Sequence, residues 1–363
     1  MLDDALKLLN ILNEKGFQAY VVGGFVRDSI IGIESNDIDI TTDATPKQIT
    51  QIFPDSYLPC DDYGSVTVMF KNIRFELTTF RREISYSDHR RPDKVEYITN
   101  LYDDLTRRDF TINALCIDNE GHVLDFLNGR DDLDKGIIKC IGDADNKFQD
   151  DALRILRAIR FATILDFKLD EDVINSINKN KHLLRGLSYN RKKEELDKIF
   201  SCSNAKKGID LLLRYNLDEA LELVNLKNVE DTSSLISIWS ILDVLDIYPF
   251  SNNEKNLIIN IREVLSHNNL DPFILYKYGL YVNSVAADIK GIDKRKVTES
   301  YNGLAIHTKS DLDISSNDIM ALLNKGPGPY LKEIYNDLIN KVLYHKINNN
   351  KDSLKDYIIK NYS

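Results

Sequence analysis

Cysteine and histidine are sparse in this 363-residue chain, and neither is arranged for metal chemistry. The four cysteines, Cys60, Cys116, Cys140 and Cys202, are widely spaced and form no Cys-x-x-Cys pair. That spacing argues against a disulfide framework and a zinc site, and fits a reducing compartment. The six histidines show no ligand spacing, and the His-Asp dipeptide of a phosphohydrolase is missing. No apolar run approaches the length of a bilayer span. The start, Met1-Leu2-Asp3-Asp4, is acidic and unlike a signal peptide. The chain therefore reads as soluble and cytoplasmic. A basic excess is also lacking: the net charge is −10 and the pI about 5.2. That argues against a general nucleic-acid coat and leaves room for a local basic surface.

What the chain does have is concentrated near its start. Val22-Gly23-Gly24-Phe25-Val26-Arg27-Asp28 is followed by Asp37-Ile38-Asp39. Glycine has no Cβ, so a phosphate can approach the backbone at Gly23-Gly24, with Arg27 near enough to neutralise charge. A strand has period two, which puts Asp37 and Asp39 on one face and Ile38 and Ile40 on the other. Two adjacent acids repel unless a cation lies between them, and Mg²⁺ suits hard oxygen ligands. These parts together point to metal-assisted nucleotidyl transfer. Glu76, alternating with Phe75 and Leu77, reads either as a third acid near the metal or as the exposed side of a strand.

Two further motifs carry chemistry. Arg107-Arg108-Asp109-Phe110-Thr111-Ile112-Asn113 groups two guanidiniums, a carboxylate and an amide. Arg108 suits a triphosphate, because guanidinium forks match phosphate oxygens. Asp109 and Asn113, at i and i+4 of a helix, suit ribose hydroxyls; a capped amphipathic helix with a charged rim is the plainer alternative. In Asp150-Asp151-Ala152-Leu153-Arg154, Asp151 and Arg154 at i and i+3 fall on one helix face. A surface ion pair explains them, and so does base selection. Cytosine and adenine both present an amino donor beside a ring-nitrogen acceptor, which an Asp–Arg pair matches, whereas guanine and uracil present the reverse. Arg157 and Arg160 continue the row toward the triphosphate or solvent.

The patterning is α+β. Apolar residues at helical spacing over 2–15 precede strand-like runs at Gln18 to Val22, Asp37 to Thr41, Ser65 to Phe70 and Ile73 to Phe80. Asn72 marks a hairpin, and Thr45-Pro46 a helix start. Glu83 to Asp93 reads as a mobile polar loop. Helical patterning takes over from about Lys147, with Gly326-Pro327-Gly328-Pro329 the strong later break.

In order, these motifs resemble those of the class II tRNA nucleotidyltransferases, the CCA-adding enzymes and their poly(A) polymerase relatives. The resembling strings are Gly-Gly-x-x-Arg-Asp with Asp-x-Asp, Arg-Arg-Asp-x-x-x-Asn, and Glu-Asp-x-x-Arg. The last begins here with the shorter Asp150. A fourth, Asn190-Arg191-Lys192-Lys193-Glu194-Glu195-Leu196, resembles a family helix that brackets the nucleotide pocket, with Asn190 in place of glutamate. The resemblance implies a small mixed sheet in a polymerase-β-like nucleotidyltransferase head over residues 1–140. It implies a helical nucleotide-selecting neck over 141–205, and a helical body and tail holding tRNA over 206–363. It implies template-independent addition of C, C and A to the tRNA 3′ end from CTP and ATP. Asp37 and Asp39 would hold two Mg²⁺ ions for two-metal nucleotidyl transfer, with Glu76 a third catalytic carboxylate. Gly23, Gly24, Arg27, Arg108, Asp109, Asn113, Asp151, Arg154, Arg157 and Arg160 would bind the nucleotide. A poly(A) polymerase, a CC- or A-adding enzyme, or a non-catalytic RNA-binding protein are the alternatives. The segment Tyr86-Ser87-Asp88-His89-Arg90-Arg91-Pro92 resembles the family loop linked to the switch from C to A.

Overall fold

The computed structural model describes residues 1–35, 37–58, 64–84, 94–230 and 234–363. Cys60 and the Tyr86–Pro92 segment, to which the sequence assigned the C-to-A switch, lie outside the described residues. The chain divides into two compact units, Met1–Leu223 and Val224–Ser363.

The first unit opens with α1 (Leu2–Glu14), β1 (Ala19–Val22), α2 (Gly24–Ile30), β2 (Asp39–Thr42) and α3 (Pro46–Ile52). Then come β3 (Ser65–Phe70), β4 (Ile73–Thr79), the hairpin of β5 (Arg81–Ile84) and β6 (Lys94–Tyr97), and α4 (Leu101–Thr106). Glu83 thus begins in a strand where the sequence suggested loop. β7 (Cys116–Ile117), β8 (Val123–Leu124), α5 (Gly129–Lys135) and β9 (Ile137–Ile138) complete the strand-rich part. Six strands form one mixed sheet in the order β3-β4-β2-β1-β7-β8. Only β2 and β4 run parallel within it, with Asp39 opposite Glu76. The β3–β4 hairpin turns where expected: Lys71 and Asn72 both take positive φ, 50° and 64°, as a two-residue turn between right-twisted strands requires.

Alternation explains how the sheet offers one face to chemistry. Ile38, Ile40, Val66, Val68, Phe75 and Leu77 are all buried, while Asp39 and Glu76 on the alternate positions open to solvent. α1 buries Ala5, Leu8, Leu9 and Leu12, the stripe its spacing predicted. At α3, the Gln48 side chain accepts from the Thr45 backbone N–H at 2.9 Å, half of a reciprocal cap.

α6 (Ala144–Asp150), α7 (Leu153–Ile164), α8 (Glu171–Asn180), α9 (Tyr189–Phe200), α10 (Ala205–Arg214) and α11 (Leu217–Leu221) follow. A two-residue strand β10 (Lys168–Leu169) pairs in parallel with β9, so strand character reaches past the Lys147 transition. Residue 129 ties this scaffold to the site. A Cβ on Gly129 would lie 2.3 Å from the Thr111 carbonyl oxygen, on the 3₁₀ turn Thr111–Asn113. Backbone cannot give as a side-chain tip can. Gly129→Ala should therefore destabilise the first unit by about 1–3 kcal/mol, read by denaturant unfolding; an unchanged midpoint would show that the turn yields freely.

The second unit is helical among its described residues: α12 (Leu235–Ile241), α13 (Asn252–Leu265), α14 (Pro272–Ile289), α15 (Lys294–Asn302), α16 (Ser316–Leu323), α17 (Tyr330–Leu343) and α18 (Lys351–Tyr362). Gly279 takes φ 73° and breaks α14. The buried Asn283 amide donates to the Gly279 and Ile274 carbonyls at 2.8 and 3.3 Å, occupying acceptors the break releases. Gly326 to Pro329 separates α16 from α17, as its composition predicted. Among the described residues no helix is long and apolar enough to cross a membrane.

Candidate active site

A cavity of about 750 Å³ in the first unit is lined by Gly23, Gly24, Arg27, Asp37, Asp39, Arg108, Asp109, Asn113, Asp151, Arg154, Arg157 and Arg160. Every site residue singled out from the sequence except Glu76 is on that list. Glu76 lines an adjoining pocket of about 240 Å³ that shares Asp39 and Arg108 with the main cavity. Residues from the N-terminal glycine turn and from a helix more than a hundred positions later thus meet at one place.

Gly23 lies at the centre of the acid end. It has φ 85°, which an L side chain rarely adopts. A Cβ there would come within 3.7 Å of Asp39 Oδ2 and 3.8 Å of Arg108 Nη1. β2 begins at Asp39, so Asp37 precedes the strand and both acids stay exposed. Although Asp39 meets solvent, the cavity walls strip part of its hydration. That loss, followed by the charges of Asp37 and Glu76, pushes its carboxyl up to about 6 against the pull of Arg108. Among the described residues, no three His, Cys, Asp or Glu side chains already form a cation cage.

The cationic wall is built around an aromatic ring that sequence reasoning passed over. Phe161 on α7 carries the guanidiniums of Arg27, Arg157 and Arg160 at 5.1, 5.4 and 4.4 Å from its ring centroid. Only the spacing of Arg157 and Arg160 around it on one helix could have pointed to its role. A chain of charge-assisted bonds fixes the arginines further. Arg27 pairs with Asp28 at 2.7 Å and donates through Nη1 to Asn113 Oδ1 at 2.6 Å. The Asn113 amide donates to Asp109 Oδ1 at 3.1 Å, and Arg157 Nε donates to Asp109 Oδ2 at 2.6 Å. Arg160 pairs with Glu195 at 3.3 Å. Among the described residues, Nε of Arg108, Nε of Arg160 and Nη1 of Arg191 are buried with no hydrogen-bond partner. Such unspent cationic donors suit an anion.

Two local expectations change. α4 ends at Thr106, so Asp109 and Asn113 do not share an α-helix; they meet across the 3₁₀ turn. Asp109 is buried and already engaged, accepting also from the Phe110 N–H at 2.8 Å. Asp151 likewise does not share a helix face with Arg154, because α7 begins at Leu153. It sits extended between α6 and α7, accepts from the Leu153 N–H at 3.0 Å, and pairs with Arg191 at 2.8 Å. Arg154 donates to the Arg107 and Lys147 carbonyls at 3.2 and 3.3 Å. Arg191, the matched arginine of the fourth motif, is thus the residue that orients Asp151. Asp150 lines a separate pocket with Arg82, Asp103 and Lys147.

The Asp109 pair has a pH signature. Burial would raise its carboxyl, but the Arg157 charge and the bonds from Asn113, Arg157 and Phe110 bring it down to about 2. A carboxyl depressed on folding contributes stability above its unfolded value near pH 4, and loses it as pH falls toward 2. Between pH 5 and pH 2, Asp109→Asn should lose roughly 2 kcal/mol less unfolding free energy than the parent. Equal pH slopes in denaturant titrations would contradict the pairing.

Fold and cavity together define a nucleotidyltransferase of the poly(A) polymerase type. Residues 19–139 match the poly A polymerase head domain, residues 166–223 a model named for the RNA- and SrmB-binding site of polymerase A, and residues 235–358 one named for tRNA nucleotidyltransferase domain 2. The chain belongs to the CCA-adding enzyme family. It is 33% identical to the CCA-adding enzyme of Ligilactobacillus salivarius (strain UCC118), over 96% of this chain and 94% of that protein. It is also 33% identical to that of Bacillus subtilis (strain 168), over 98% and 97%. The crystal structure of the Bacillus stearothermophilus CCA-adding enzyme in complex with CTP superposes with a TM-score of 0.83 at 25% identity, covering 98% of this chain and 96% of that one.

Proposed function

We propose that this protein adds C, C and A, without a nucleic-acid template, to the 3′ end of tRNA, using CTP and ATP. The observation that carries the reading is the single cavity in which exposed acids face a wall of arginines holding unspent donors. Nearly full-length likeness to proteins named CCA-adding enzymes favours it over a poly(A) polymerase or a non-catalytic module.

The carboxylates fit a divalent cation. Asp39 is destabilised in its charged form first by lost hydration and then by Asp37 and Glu76, and a neighbouring cation offsets that penalty. Two protein carboxylates with no complete cage is the donor set Mg²⁺ accepts, since its other positions go to phosphate oxygens and water. Asp37 and Asp39 would hold two such ions, with Glu76 the third acid. When bound, Mg²⁺ supplies charge for the RNA 3′-hydroxyl and for the triphosphate. Arg108, Arg157 and Arg160 bind phosphate oxygens, with Arg27 behind them. The backbone at Gly23 and Gly24 lets the phosphates close on the acids. Asp109 and Asn113 fix the arginines and border the sugar. Asp151 accepts from the base amino group and Arg154 donates to the ring nitrogen, which admits cytosine and adenine and leaves guanine and uracil with unpaired buried groups.

Residues 1–140 then serve as catalytic head and 141–205 as the selecting neck. Residues 206–363 hold the tRNA by shape and phosphate contact. A cytoplasmic location accords with the buried free thiols of Cys116 and Cys140.

The deciding experiment offers tRNA ending before C, C and A with each NTP alone and in mixture, reading product length on a denaturing gel. Two additions from CTP, a third only with ATP, and none from GTP or UTP are expected. Long adenosine tails, or arrest after a partial addition with both nucleotides present, would overturn the reading.

A further inference from the structure

Among the described residues of the first unit, Asp104 is the most deeply engaged carboxylate outside the motifs read from the sequence. It lies on α4 with no solvent exposure. Its Oδ1 accepts from Arg107 Nε at 2.9 Å and from the Arg81 backbone N–H at 3.2 Å. Its Oδ2 accepts from Thr41 Oγ1 at 3.1 Å and from Arg108 Nη2 at 3.3 Å. Thr41 stands two residues from Asp39 on β2, on the same face. One buried acid thus connects the strand that carries the catalytic carboxylate to the arginine that faces it. Burial raises its carboxyl, yet the charges of Arg107 and Arg108 more than reverse that, and it stays ionised.

Building on the function proposed above, we infer that Asp104 is a positioning residue, which holds Arg108 toward the incoming triphosphate and away from Asp39 and Glu76. Arg108 needs such a restraint. Its Nη1 and Asp39 Oδ2 flank the same point beside Gly23, 3.8 and 3.7 Å from where a Cβ would stand, and it shares the smaller pocket with Asp39 and Glu76. Released from Asp104, Arg108 has these two acids as its nearest counter-charges in that pocket. An ion pair there removes a donor from the phosphates and occupies the oxygens that a divalent cation needs. Asp104 therefore affects two binding steps while touching neither ligand.

The consequence separates positioning from mere support of the fold. In Asp104→Asn, which keeps shape and removes charge, the KM for CTP and for ATP should rise together by about tenfold, as for one lost charge-assisted contact. The Mg²⁺ concentration giving half-maximal rate should rise as well, while the preference for CTP and ATP over GTP and UTP stays. A purely structural role would lower the active fraction, and so kcat, and leave both half-saturation values in place. Initial rates are measured on the full chain with tRNA lacking its terminal C, C and A, beside thermal melting and tRNA binding. Thr41→Val, which removes a single hydroxyl from Asp104, should shift both values in the same direction by less. If Asp104→Asn does not fold, the Thr41 variant decides: a shift supports the inference, and unchanged values overturn it. A parent protein that adds no nucleotide would remove the proposed function itself; an active parent with unshifted variants removes only the role of Asp104.

Discussion

Asp39→Ala should abolish nucleotide addition, with a loss of at least ~10³-fold, the scale of removing a preorganised electrostatic element. Asp37→Ala should do the same. Both acids are exposed and line the cavity, so removing either carboxylate should spare the fold. Asp39→Asn should in fact stabilise the metal-free protein at neutral pH. Its folded carboxyl titrates at about 6, above the unfolded value near 4. A carboxyl raised on folding costs nothing below pH 4, and its penalty builds as pH climbs through 6. Lost activity with equal or greater stability at pH 7, and unchanged tRNA binding, is the expected combination. Near-normal turnover in either alanine variant would refute the catalytic role.

The second large effect is expected at the base. Asp151→Ala should lower kcat/KM for CTP and ATP together, on the order of 10²-fold or more, and relax rejection of GTP and UTP. One carboxylate is proposed to serve both correct nucleotides, so the two losses should be similar. The substitution also leaves Arg191 without the partner it holds at 2.8 Å, which adds to the loss through misplacement of the pocket wall. Binding of tRNA alone should hardly change. An effect confined to one nucleotide would rule out a shared template.

Much of this was legible because it was local. The β3–β4 hairpin followed from alternation around Asn72, and the α1 stripe from helical spacing. The glycine turn and the paired acids were adjacent in sequence and stayed adjacent in space. What escaped was set by partners far along the chain. Asp151 was read onto a helix face with Arg154, yet the helix starts two residues later and the carboxylate turns to Arg191, 40 positions away. Asp109 was read as open to a ribose, yet Arg157, 48 positions on, already holds it. Asp104 drew no reading from the sequence, because nothing in its neighbours announces complete burial. Phe161 was passed over, since its partners Arg27, Arg157 and Arg160 come together only in the fold. The division after Leu223, where helical patterning continues on both sides, left no change of period to read.

The ring of Phe161 has a consequence for turnover. Eight basic and five acidic side chains line the cavity of a protein whose overall charge is −10. The ring spaces three of the guanidiniums without cancelling their charge. The net negative charge gives no general attraction for phosphate, whereas the field focused in this cavity does. Admission therefore depends on phosphate charge before it depends on the base. The same grip remains after the bond is made, when pyrophosphate sits where the triphosphate sat. On the proposed function, the arginines that admit the triphosphate should therefore also slow release of the leaving group between successive additions.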